Sequence, residues 1–177
     1  FLIGFFMVAI QAMIFFLLPL YALSLNLDLL GISLLFAGIS IPYLFSFLLA
    51  ELADHFGKVN VISICFLLFA IIMVALFFTS TASIAFFIAC FLLGFIFATL
   101  QPAVTGLITD VTPRIQGGEM TGIYTAVFKL GGFAAAFGFG LLAQTSGLHA
   151  PFLAFAILLL AMSALAYSIK GKIVVRI

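Results

Sequence analysis

One cation stands in a stretch that otherwise carries no charge. Lys129 lies within the run from Tyr124 to Ser146, and Gly122, Thr125, Gly132, Ala136 and Gly140 recur around it at helical spacing. An ammonium on a face of small residues can contact an anionic solute or pair with an acid that carries protons. It can also snorkel toward an interface along an ordinary helix. Gln11 and Gln101 are long polar side chains in apolar surroundings, and both can line a path or simply hydrogen-bond between helices. A second constellation is the segment Ala50-Glu51-Leu52-Ala53-Asp54-His55-Phe56-Gly57-Lys58. There Asp54 closes one apolar run and Gly57 permits a tight reversal. The carboxylate is then placed to accept hydrogen bonds from a neighbouring helix N-terminus and so to latch one arrangement. The other reading of these charges is a short turn that fixes topology.

Other combinations of reactive residues fail. Cys65 and Cys90 both fall inside apolar runs without CxxC or Cys/His spacing, as small buried hydrophobes do. His55 and His149 are expected at opposite ends of the elements that carry them, which excludes a shared metal or haem. Gly138-Phe139-Gly140 followed by Ala143 imitates a dinucleotide fingerprint, but no strand precedes it, and it reads as a packing motif with Gly122, Gly131 and Gly132. There is no GxSxG and no phosphate-binding loop. The expectation is a chain that is not an enzyme and needs no cofactor.

The elements that position these residues follow from composition. Of 177 residues, 67% are hydrophobic and 6% are charged, against roughly 25% charged in a soluble domain. Such a chain cannot cover a water-facing surface, so a lipid bilayer is its solvent. Long apolar runs without alternation point to helices rather than a barrel. Runs long enough to cross fall at 1–25, 30–52, 58–79, 83–108, 118–143 and 151–169, with 170–177 as a tail. The breakers between them are Asn26 and Asp28, Asp54 to Gly57, Thr79 to Thr81, Asp110 to Gly118 and Thr145 to Pro151. Six Lys plus Arg against five Asp plus Glu give no field that would draw a nucleic acid.

Six spans alternate sides. Lys58, Arg114, Lys170, Lys172 and Arg176 then share one side, and the opposite loops hold no Lys or Arg. By the positive-inside rule both termini are cytoplasmic, which is expected of a multi-pass protein of an inner or plasma membrane. Tyr21 and Tyr167 are expected at the headgroup level. The first and fourth spans each carry a late proline, Pro19 and Pro102, a faint echo consistent with two inverted three-helix repeats.

The segment from Leu52 to Lys58 resembles the cytoplasmic signature of the major facilitator superfamily, roughly G-x-L-A-D-x-x-G-R/K. Leu52, Ala53, Asp54, Gly57 and Lys58 match, Ala50 replaces the first glycine, and His55 stands where Arg is frequent. Pro113-Arg114 through Gly118-Glu119 to Gly122 resembles the family's connection into the fifth helix of a half, and Gly147 to Phe152 its link into the sixth. The resemblance implies half of a twelve-span transporter, in which the loop at Asp54 steadies the outward-facing state against the opposite half. It implies that Gln11 and Gln101 stand on cavity-lining helices. Cys90, four residues before Gly94, replaces an Arg frequent in the N-terminal half, and the glycines of the fifth span lack the antiporter proline, so the C-terminal half is the better fit. A start on Phe1 reads as a fragment.

The resulting expectation is secondary active transport of a small solute by alternating access, with proton-coupled efflux of an amphipathic compound suggested by the Phe-rich helices. Its partners would be the solute, the lipid bilayer, and either a missing N-terminal six-helix half or a second copy. A non-transporting membrane scaffold with the same fold is the alternative.

Overall fold

A computed structural model describes residues 2–79, 81–111 and 117–173, with side chains described outside 111–121 and 169–173. The described residues are helical apart from short turns, and no strand occurs among them. Six helices are long and apolar enough to cross a membrane: α1 (Leu2–Ser24), α2 (Leu29–Phe56), α3 (Lys58–Phe78), α4 (Ile84–Val111), α5 (Gly117–Ser146) and α6 (Ala150–Ile173). This is an all-helical membrane architecture with six spans among the described residues. Four of these helix ends run past their apolar stretches. Helix α2 continues to Phe56, which carries Asp54 on helical backbone; α5 begins at Gly117 and ends at Ser146; α6 continues to Ile173 through what composition marks as tail.

The turns follow their residues. Asn26 takes a left-handed φ of 61° after α1, and Asp28 caps α2 by accepting a hydrogen bond from the Gly31 N–H at 2.8 Å. Gly57 (φ 85°) separates α2 from α3 by a single residue, and Gly147 (φ 85°) ends α5, a backbone region that L side chains rarely adopt.

Prolines perturb the helices unequally. Before Pro19, α1 relaxes into a π-turn over Met13–Leu17; α2 tightens into a 3-10 turn over Ile41–Phe45 around Pro42; α4 passes Pro102 as continuous α-helix.

The core sits between α3, α4, α1 and α6, with Phe66, Phe69, Phe86, Phe152 and Phe155 fully buried. Ser163 of α6 donates to the Ser63 carbonyl of α3 at 2.8 Å, tying the helices at depth. Helix α4 meets α2 at Gly94, where a Cβ would run into the Ile39 backbone, 2.7 Å from its Cα. Helix α5 leans on α1 through Gly131, against Phe5, and Gly132, against Val8. Burial is therefore uneven. Half of the apolar window is buried in α3 and α4, 22% in α2 and only 11% in α5, so α2 and α5 carry the unpaired faces of the bundle.

Tyr21 departs from its expected place. It is fully buried at the end of α1, packed edge-on to Phe152 and His149 at 4.9 and 5.1 Å between ring centroids, and is no headgroup anchor. Its hydroxyl donates to the Thr79 carbonyl, and the His149 ring lies 3.2 Å (Nδ1) from the Phe77 carbonyl. These carbonyls end α3 and have no partner within it, so a buried hydroxyl and a ring nitrogen complete the helix end. Tyr167, by contrast, is exposed.

Candidate functional site

The α2–α3 turn is built around one ammonium. Because Gly57 reverses the chain in a single residue, Lys58 opens α3 beside the last turn of α2, and its Nζ lies 3.2 Å from Asp54 Oδ1. The same Nζ donates to Asp110 Oδ2, at the far end of α4, at 2.6 Å. Room for this reach comes from Gly106, one turn before Asp110: a Cβ there would sit 3.0 Å from Lys58 Cε and 3.2 Å from Nζ. Three helix ends are thus pinned together. The Lys58 and Asp110 side chains are 22% and 43% exposed and that of Asp54 is 63% exposed, so Lys58–Asp110 is the sheltered bond and Asp54 the one open to a further donor. Among the described residues the cluster sets two carboxylates against one ammonium.

Asp110 has no place in the loop signature, being 52 residues from Lys58. Two signals point to it. Alternation of the spans puts it on the same side as Asp54 and Lys58, and Gly106 precedes it by one turn, the spacing that clears a helix face for an incoming side chain. Leu52, of the same signature, makes no contact with the charges; it is exposed and borders a groove along α3. His55 is exposed and lies edge-on to Phe56. Pro113, Arg114 and Arg176 lie outside the described residues, as do the side chains of Glu119, Lys170 and Lys172; Gly118 is described only as helical backbone.

The polar residues of the spans stand apart from this cluster. Gln11, Gln101 and Lys129 are all exposed on the six-helix unit. None of the three side chains makes a hydrogen bond or ion pair with another described residue, although the Gln101 backbone carbonyl accepts from the Thr105 hydroxyl at 3.0 Å. Lys129 lies about 18 Å along α5 from Gly117. Around Lys129 the small residues divide: Gly131 and Gly132 pack on α1, whereas Gly122, Gly138 and Gly140 have nothing within 4 Å of a Cβ position. Cys65 and Cys90 are buried free thiols.

Six helices of membrane-spanning length among the described residues, a one-residue turn pinned by charge, and two helices with open faces define a multi-pass helical membrane protein. The chain matches the profile of the Major Facilitator Superfamily over residues 1–172. It belongs to that family of membrane transporters. Searches of curated proteins and of solved structures found no significant match.

Proposed function

We propose that these residues act as the C-terminal half of a secondary transporter that moves a small amphipathic solute by alternating access, in the direction of efflux and coupled to protons. The observation that carries the reading is the unequal burial: α4 and α6 both close on α3, while α5 and α2 present long apolar faces without a partner among the described residues. A second six-helix half covers those faces, and rocking of the two halves opens a central path first to one side and then to the other. Both termini are cytoplasmic and the membrane is an inner or plasma membrane, from the placement of the cations.

In this reading the Asp54–Lys58–Asp110 cluster is the conformational latch. Lys58 holds α2, α3 and α4 as one body, and the exposed Asp54 carboxylate accepts hydrogen bonds from a helix of the other half in one state. Gly57 is the hinge that makes the geometry possible. Lys129 faces the same missing half. A cation within the apolar stretch is costly unless paired or hydrated, and its role is to meet an anionic group of the solute or of a coupling acid. Gln11 and Gln101 line the path at other depths. Gly122, Gly138 and Gly140 are packing positions for the opposing unit.

Proteoliposomes containing the full protein, loaded with a fluorescent amphipathic anion and energised by a pH gradient, test this. Lys129→Ala is expected to lower the rate or uncouple it from the gradient. Unchanged rate and coupling would reduce Lys129 to a snorkelling side chain. Absence of solute-dependent protection at cysteines placed along α1, α4 and α5 would favour the non-transporting scaffold.

A further inference from the structure

Helices α4 and α5 both pack on α1, and among the described residues neither packs on the other. They stand as two walls of a cleft whose floor is α1. Along α4, Gln101, Thr105 and Thr109 recur every four residues and are all exposed. The Thr105 hydroxyl donates to the Gln101 carbonyl and the Thr109 hydroxyl to the Thr105 carbonyl, each at 3.0 Å. Their hydrogens are spent within α4, so what these two hydroxyls offer outward is lone pairs.

One side chain of α5 reaches toward this ridge. Tyr124 lies against the first turn of α1 at Gly4, where a Cβ would sit 3.0 Å from Tyr124 Cε2 and run into the Phe128 ring. A residue without a side chain on α1 is what gives the tyrosine room. Its hydroxyl is enclosed and has no hydrogen-bond partner, and Thr105 is the polar side chain that bears on it from α4. A donor without an acceptor thus faces a hydroxyl oxygen with lone pairs to spare, and the two do not bond in this arrangement. An enclosed hydroxyl left unpaired is destabilising, and two small movements relieve it. Approach of α5 to α4 makes the O–H···O bond; separation of the walls lets water reach the hydroxyl. The pair also sits at a definite depth. Thr105 is about 7.5 Å along α4 from Asp110, the end that Lys58 pins, and Gln101 is about 13.5 Å from it. Tyr124 and Thr105 therefore stand between Gln101 and that side of the membrane.

We propose that Tyr124 is the gate of this cleft on the side of Lys58 and Asp110: with its hydroxyl bonded to Thr105 Oγ1 the cleft is shut to that side, and with the hydroxyl in water it is open. Thr105 is the positioned acceptor and Gly4 the seat of the ring. The gate rests on the alternating-access reading given above, and it places one closing contact within this six-helix unit, apart from the latch offered to the other half.

The test uses the full protein with Cys65→Ala, Cys90→Ala and Gln101→Cys in sealed vesicles, labelled from one face at a time by a membrane-impermeant thiol reagent. Tyr124→Phe keeps the ring and removes the donor. It should raise the rate of labelling from the Lys58 side on the order of tenfold, the factor that one hydrogen bond of ordinary net strength supplies, and lower labelling from the opposite side. Thr105→Val keeps the shape and removes the acceptor, and should do the same. The double variant should exceed neither single, because one bond is lost in all three. Thr109→Val, one turn nearer the Asp110 end, should leave the rates as they are. Unaltered labelling in Tyr124→Phe, multiplied effects in the double variant, or an equal rise in Thr109→Val would overturn the gate. So would a rise from both faces at once, which marks a loosened bundle. Labelling of Gln101→Cys from one face only, in every variant, counts against alternating access itself; labelling from both faces that Tyr124→Phe leaves unmoved keeps alternating access and removes the gate. If Tyr124→Phe does not reconstitute, Thr105→Val decides by the same outcomes.

Discussion

Replacing Lys58 by Met removes the ammonium and keeps the stem that lies against Gly106. Its two bonds are unequal. The contact to Asp110 is 2.6 Å, between side chains 22% and 43% exposed; a charge-assisted hydrogen bond of this kind contributes about 1.5–3 kcal/mol, with the lower end suited to partial exposure. The contact to Asp54 is 3.2 Å, four residues apart, with the acid 63% exposed; such pairs are worth about 0.3–0.5 kcal/mol. Two double-mutant cycles in detergent, Lys58→Met with Asp110→Asn and Lys58→Met with Asp54→Asn, measured by denaturant unfolding, separate them. The Asp110 cycle should give a coupling of roughly 1–2 kcal/mol and the Asp54 cycle less than about 0.5 kcal/mol. Transport should show the reverse order, because Asp54→Asn removes the negative charge offered to the other half while leaving Lys58 bonded to Asp110. A larger stability coupling for Asp54 than for Asp110, or additive costs in both cycles, would refute the assignment of Lys58–Asp110 as the structural bond.

Other expectations follow from close contacts. Gly94→Val should lower unfolding stability by about 1–3 kcal/mol or more, because the neighbour it meets is the Ile39 backbone and no side chain can swing away. Gly140→Val should be nearly neutral in the isolated six-helix unit, where nothing lies within 4 Å, and costly in the whole transporter; thermal unfolding of both forms checks this. Tyr21→Phe should cost about 1–3 kcal/mol by leaving the Thr79 carbonyl without its buried donor, and His149→Ala less, because that ring is exposed; denaturant melts of the two variants rank them.

The six spans were legible because solvent choice is a bulk property: twenty apolar residues in a row read the same whatever they pack against. The Asp54 turn was legible for a local reason, since Gly57 and Lys58 stand within four residues of the acid they arrange. What composition could not deliver were pairings across the chain. Asp110 meets Lys58 over 52 residues, and Tyr21 meets Thr79 over 58. In both cases one partner is an ordinary group, a carboxylate at a helix end or a backbone carbonyl, and only packing brings it near.

The central claim is that α1, α4 and α5 border a path that opens alternately to the two sides. Its most direct test uses the full protein with Cys65 and Cys90 replaced by Ala, both being buried and unpaired. Single cysteines at Gln11, Gln101 and Lys129 are then exposed to a membrane-impermeant thiol reagent added to one face of sealed vesicles at a time. Alternating access predicts that at least one of these positions is labelled from either face, and that fixing the Asp54 turn, by crosslinking it to the opposing half, removes labelling from one face only. Labelling confined to a single face at all three positions, unchanged by the crosslink, would contradict the account.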